Sequence, residues 1–259
     1  MNTQLLIIDP QNDFIDQPRA ALPVAGAAQD MQRLAGFVTK HNDALTGVTV
    51  TLDTHAAYDI AHPTWWRDAD GAHPAPMSPI TLQDVQSGRW TPVDPSRRQH
   101  ALDYLAQCGL WIWPEHCLKD TWGGAVYPAL AEALTAVATK TIWLRKGENP
   151  DTEHFSAFEA DVPLASDPEY TAFNPRNVAQ LIDADRILVA GEALSHCVAS
   201  SVRSLVRHLG PEFAPRLVLL TDCMSPVPGF EAQGEAFIAE MAALGVGLAT
   251  TQTALVAAG

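Results

Sequence analysis

Positive charge is scarce in this sequence. Its 259 residues include 16 lysines and arginines against 30 aspartates and glutamates, for a formal net charge of −14 and a pI of about 4.9. Such a surface repels phosphate backbones, and no basic block offsets this locally, so nucleic acid is not an expected partner. Long apolar runs are also missing. None approaches the roughly 20 residues of a membrane-spanning helix, and no membrane partner is expected. The opening MNTQLLIIDP is too short and too quickly acidic for a secretion signal. Cysteine is sparse, with Cys108, Cys117, Cys197 and Cys223 showing no paired spacing. Without a secretion signal these read as reduced thiols, and a cytoplasmic location is expected. Internal repeats and low-complexity segments are absent.

What remains is a globular composition, 47% apolar and 18% charged. The length suits one large α/β domain or two small ones. Short apolar runs at 4–8, 47–52, 141–145, 186–190, 217–221 and 245–249 read as strands. Near-continuous Val, Leu and Ile is what a parallel strand covered on both faces requires. Helical spacing fills the intervals at 27–41, 127–140, 174–184, after Cys197, and 230–245. Asn174 is placed as an N-cap with Pro175 at the first helical position. Strands alternating with helices give an α/β fold built on a parallel sheet covered by helices on both faces. Residues 56–115, rich in Pro, Trp and Asp, and the irregular 147–173 break that rhythm as long loop-rich segments of the kind that carry function. The expected organisation is one domain over 1–259 with an insertion at about 56–115.

In an open α/β sheet, ligands bind beyond the carboxyl ends of the strands. Reactive side chains accumulate at that edge: Asp9 follows the first strand, Asp53 and His55 the second, Lys146 the third, and the turn carrying Cys197 the fourth. A thiol where a strand hands over to a helix is activated by unpaired N–H groups, which can also receive an oxyanion. By position alone Cys197 equally fits a small buried hydrophobe, as Cys108 and Cys223 do better. Asp9 can shuttle a proton to and from a thiol, or simply form a turn. Lys146 can stabilise thiolate and oxyanion, or lie on the surface before a Gly turn. Asp13 and Asp16 read as turn or capping residues. Asp53 and His55, two apart in an extended segment, project to one side, and His116 in WPEHC adds a third donor. Two histidines and a carboxylate suit Zn²⁺, Fe²⁺ or Mn²⁺. His62 is a further candidate ligand or part of a structural turn. His41, His73, His100, His154, His196 and His208 read as surface or structural. For the adjacent Trp65 and Trp66 in the insertion, packing is expected over pocket lining or a subunit contact, and Trp90 has the same choices.

With these residues in place, the sequence resembles the isochorismatase-like cysteine hydrolases, and among them the nicotinamidases. LLIIDPQNDF, LDTH, WPEHC, RKG and GEALSHCV occur in the family's order from residue 4 to about 225. The resemblance implies a Rossmann-like sheet of strand order 3-2-1-4-5-6 and a catalytic triad of Cys197, Asp9 and Lys146. It implies a cis peptide before Ala193, whose N–H with that of Cys197 forms an oxyanion hole. It further implies metal ligands Asp53, His55 and His116, and aromatic contacts from Phe14 and Trp113 to a pyridine ring. The implied activity is hydrolysis of a small amide such as nicotinamide through a thioester, with a divalent metal, zinc first, and a homo-oligomeric assembly. A related hydrolase acting on another small amide, or a non-catalytic binder of a pyridine-like ligand, is the alternative. Nicotinamidases usually read G-x-A-T-D-x-C before the thiol, whereas this chain has Leu194 and Ser195 at the Thr and Asp positions. Isochorismatases proper generally lack the metal ligands, which argues against vinyl-ether hydrolysis.

Overall fold

Six strands form the central sheet of the computed structural model, which describes residues 1–255. They are β1 (Thr3–Ile8), β2 (Gly47–Asp53), β3 (Thr141–Lys146), β4 (Arg186–Gly191), β5 (Leu217–Leu220) and β6 (Gly247–Ala249). All neighbours pair in parallel, in the spatial order β6-β5-β4-β1-β2-β3, which is the expected 3-2-1-4-5-6.

Alternation along β1 divides the core into two layers. Leu5 and Ile7 join the cluster holding Met31 and Leu34 of helix α1 (Ala27–His41) and Leu130 and Leu134 of α2 (Pro128–Leu134). Leu6 and Ile8 face the opposite way. They join Val202 and Leu205 of α3 (Ala199–Leu209) and Phe237 and Met241 of α4 (Glu231–Ala243). The helix expected over 174–184 is instead a 3₁₀ segment, Pro175–Val178, followed by one α turn, Ala179–Ile182. Its Asn174 cap forms as expected, the side chain accepting from the Arg176 N–H at 3.0 Å. Among the described residues, no helix is long and apolar enough to cross a membrane.

Two strands depart from the expectation of cover on both faces. β3 and β6 are the sheet edges, and Ile142, Trp143 and Leu248 are 37%, 48% and 48% exposed. The loop-rich 56–115 segment carries short regular elements. It contains two antiparallel strand pairs, 66–67 with 91–92 and 78–80 with 110–112, and the helices Leu82–Ser87 and Arg98–Leu105. Thr81 and Asp84 form a capping box at the first of these helices. Trp65 and Trp66 are fully buried in the same apolar cluster as α1, and the Trp66 indole N–H donates to Ile60 O at 2.7 Å. Packing is therefore the fate of that pair, and the insertion is sewn into the core beside the strand ends.

Candidate active site

Register brings the reactive groups to one edge. Asp53 and Lys146 are direct partners at the ends of β2 and β3, and Ile8 pairs with Gly191 at the ends of β1 and β4. Gly191 has φ of +123°, and a Cβ there would lie 2.0 Å from Ile8 O. Only glycine lets the turn after β4 press this closely on β1. The Glu192–Ala193 peptide that follows is cis, as the resemblance implies. Leu194–Val198 then forms a single π-helical turn that runs into α3 and holds Cys197.

Lys146 is the centre of the arrangement. Its Nζ lies 3.1 Å from Asp9 Oδ2, 2.9 Å from Asp53 Oδ1 and 3.7 Å from Cys197 Sγ, and donates to His154 O at 2.6 Å. Asp9 is fixed from the other side: Thr51 Oγ1 donates to its Oδ1 at 2.5 Å and accepts from its N–H at 3.0 Å. All three triad residues are buried. Burial pushes the Asp9 carboxyl upward, opposed by the Lys146 ammonium and the Thr51 hydrogen bond. Burial likewise holds the Cys197 thiol well above its ordinary range, with Lys146 opposing. Burial would neutralise Lys146, but Asp53 and Asp9 more than compensate and hold its pKa well above the ordinary value. The resting site thus favours a neutral thiol beside an ammonium that stabilises either anion, and a carboxylate whose basicity is raised toward that of the sulfur.

A second cluster adjoins it. Donor atoms of His55, His62 and His116, all buried, lie within 4.8 Å of one another. Asp53 Oδ1 is 3.2 Å from His55 Nε2, and Asp53 Oδ2 is 3.4 Å from His116 Nε2. Thus Asp53 borders the three-imidazole group while sharing an oxygen with Lys146. The outer ring nitrogens are oriented by the protein: His55 Nδ1 meets Asp59 Oδ2 at 3.0 Å, His62 Nδ1 meets Ala56 O at 3.2 Å, and His116 Nδ1 meets Pro114 O at 2.8 Å. Carboxylate and carbonyl partners of this kind fix the tautomer of metal-binding imidazoles. Burial and the other two imidazoles push His62 down to about 2, keeping it a neutral donor. His55 Nε2 and Asp53 Oδ1 face each other at 3.2 Å. Three imidazoles and a carboxylate converging in this way are a donor set that fits a divalent cation.

A small cavity opens onto the sulfur, lined by Phe14, Trp113, His116, Phe155, His196 and Cys197 among others. Phe14 and Trp113, the aromatic residues singled out in the sequence, both line it. His196, expected to be surface or structural, forms part of this wall instead. Its ring packs 5.1 Å from Trp113 and 5.3 Å from Phe155, and burial pushes it down to about 4. Phe155 and Glu153 also line the cavity and carried no signal of their own in the irregular 147–173 segment. Asp59 did carry one, a carboxylate four residues after His55. The capping expectation holds for Asp16, which accepts from Gly26 and Ala28 N–H at 3.0 and 2.7 Å. Asp13 instead is a buried tether, accepting from Ala21 N–H at 3.0 Å and from Cys117 N–H at 2.8 Å, which ties down the segment carrying His116.

No family model matches the chain. The nicotinamidase of Saccharomyces cerevisiae is 23% identical over 226 residues, covering 86% of this chain and 88% of that protein. The yeast nicotinamidase structure superposes with a TM-score of 0.68 at 19% identity, covering 95% of this chain and 98% of that one. An Acinetobacter nicotinamidase/pyrazinamidase structure gives 0.68 at 20% identity, covering 98% of each chain. A Pyrococcus horikoshii pyrazinamidase in complex with zinc gives 0.59 at 17% identity, covering 96% of this chain and 99% of that one. By fold and by sequence the chain is similar to nicotinamidases, which belong to the isochorismatase-like superfamily.

Proposed function

We propose that this protein is a cysteine amidohydrolase that cleaves a small carboxamide, nicotinamide in the first instance, to the acid and ammonia through a thioester on Cys197. The observation that carries this reading is the meeting of Asp9, Lys146 and Cys197 around one ammonium. Similarity to nicotinamidases from yeast and Acinetobacter supports the choice of substrate class.

Asp9 takes the proton from Cys197 as the sulfur attacks the amide carbon, and the Lys146 ammonium stabilises the thiolate as it forms. The neighbouring amides are already engaged: Leu194 N–H donates to Ser225 O, and His196 and Val198 N–H donate to Ala193 O. The Ala193 and Cys197 N–H groups are assigned to the oxyanion. The tetrahedral adduct collapses with cleavage of the C–N bond, and Asp9 returns its proton to the departing nitrogen, releasing ammonia. A water then gives a proton to Asp9 as its oxygen adds to the thioester. The C–S bond breaks, the acid leaves, and the proton on Asp9 restores the thiol.

Asp53, His55 and His116 would hold a divalent cation, with His62 as a further ligand. Zn²⁺ suits the set, and Fe²⁺ or Mn²⁺ are alternatives. A bound cation would supply a Lewis-acidic anchor that orients a ring nitrogen, in keeping with the zinc in the Pyrococcus pyrazinamidase. Phe14 and Trp113 would flank the ring and hold the amide carbon over the sulfur, and such positioning contributes several kcal/mol to a barrier reduction. Ammonia release from nicotinamide tests the reading. Turnover is expected in the wild type and absent in Cys197→Ala, and release that survives that substitution rejects the thiol mechanism.

A further inference from the structure

The turn that carries the oxyanion donors is held by a neighbouring segment. Residues 223–227, which follow β5, run beside residues 191–195. Gly191 N–H donates to Cys223 O at 2.9 Å, Leu194 N–H to Ser225 O at 2.8 Å, and Val227 N–H to Ser195 Oγ at 3.0 Å. A further contact comes from a buried carboxyl: Ser225 N–H donates to Glu192 Oε2 at 3.2 Å. Ser225 therefore grips the residues on either side of Ala193. Its hydroxyl donates to Asp30 Oδ2 on α1 at 2.5 Å. Arg33 anchors the far side, donating to Asp30 Oδ1 at 2.5 Å and to Asp222 O at 2.6 Å.

Glu192 is a costly way to fill this space. Its side chain is fully buried, and its Oε1 finds no partner among the described residues. Burying a carboxyl with one oxygen unsatisfied destabilises the fold, and an apolar side chain of similar volume avoids that penalty. What the carboxyl supplies is an acceptor for Ser225, and its oxygen accepts with or without a proton on the group. The consequence reaches the sulfur because Ala193 and Cys197 line the same cavity. A backbone donor stabilises an oxyanion only when aimed at where that charge develops, so a small displacement of the turn forfeits much of the effect.

We propose that Glu192 is a positioning residue for the oxyanion hole: acting through Ser225, its buried carboxyl fixes the turn that presents the Ala193 N–H beside Cys197. The assignment rests on the amidase reading for the oxyanion itself. Glu192 touches neither substrate nor sulfur. It acts on the peptide next to it and, through the Leu194–Ser225 bond, on the far end of the same turn.

Full-length wild type, Glu192→Leu, Glu192→Gln and Ser225→Ala test this with two probes, each protein's thermal midpoint identifying the folded variants. Nicotinamide reports turnover. Pyridine-3-carbaldehyde reports the hole without C–N cleavage: the sulfur adds to the carbonyl carbon, the C=O π pair moves to the oxygen, and the thiol proton passes to Asp9. Glu192→Leu removes the acceptor and keeps the bulk. It is expected to lower both kcat and aldehyde affinity by at least about tenfold while KM changes by less than about threefold. Glu192→Gln keeps the acceptor and is expected to recover both to within about threefold of wild type. Ser225→Ala cuts the tie to Asp30 and is expected to lose both in the same direction, which carries the test if Glu192→Leu does not fold. Wild-type kcat and aldehyde affinity in folded Glu192→Leu, or in Ser225→Ala if that is the variant that folds, overturn the proposal. So does a loss confined to KM, or a Glu192→Gln that falls as far as Glu192→Leu. If wild type releases ammonia and the variants match it, this inference fails and the amidase reading stands. If wild type releases none but Glu192→Leu weakens the aldehyde adduct, the positioning role stands and the amidase reading fails.

Discussion

Glu192, in the turn after β4, is fully buried. Its Oε2 accepts from the Ser225 N–H at 3.2 Å, and its Oε1 is buried without a partner. Asp30 is held by Arg33 at 2.5 Å and by Ser225 Oγ at 2.5 Å. Burial first, then the charge of Asp30, raises the Glu192 pKa well above its ordinary 4.5. In the unfolded chain Glu192 loses its proton near pH 4.5, whereas the folded protein retains it. The contribution to stability is therefore fully present below pH 4.5 and declines as pH rises, until the folded carboxyl also ionises. The slope is about 1.4 kcal/mol per pH unit. Glu192→Gln keeps the shape and accepts from Ser225 but does not titrate. As pH rises above 4.5 the stability difference should shift steadily in favour of the variant, by up to about 1.4 kcal/mol per pH unit, until the folded carboxyl ionises. For a chain of this size each kcal/mol moves the thermal midpoint by roughly 2–4 °C. Calorimetric scans of both proteins at half-unit pH intervals measure it. Parallel midpoint-versus-pH curves would refute the protonated-carboxyl account.

Other perturbations follow from the same geometry. Thr51→Val removes both hydrogen bonds to Asp9 and should lower kcat by about tenfold or more with little change in KM, measured by steady-state ammonia release. His62→Ala should weaken metal affinity by about 10–100-fold, read by competition with a chromogenic chelator, while the thermal midpoint of the chelated protein changes little. Trp66→Ala should destabilise by about 3–5 kcal/mol in urea unfolding, because a fully buried indole and its bond to Ile60 O are lost.

The sequence made the centre of the sheet legible and its margins less so. Residues 5–8 and 187–190 are apolar throughout because β1 and β4 are buried between two helical layers, and the pattern records that directly. Residues 141–145 look similar, yet β3 is an edge strand with Trp143 half exposed. Edge or centre is decided by which strands pair, a non-local property that a local run does not encode. Asp9, Asp53, Lys146 and Cys197 were legible because a strand's end can be read from the sequence and ligand sites follow strand ends. Phe155 and His196 were not, because their places depend on how the 56–115 and 147–173 segments cross the sheet edge, and His62 was legible only as a candidate because its setting fits a turn as well. The short strands inside the loop-rich insertion were not legible, because at two or three residues they are too short to show a period.

The central claim is that Cys197, Asp9 and Lys146 act as one reacting unit. Ammonia release should be measured in parallel for wild type, Cys197→Ala, Asp9→Asn, Lys146→Met and the triple variant, each with its thermal midpoint. The account predicts that the folded Cys197→Ala and Asp9→Asn proteins fall to the same floor as the triple variant, because groups acting in one step are not additive. Activity in Cys197→Ala well above that floor, or losses that multiply across the three positions, would contradict it.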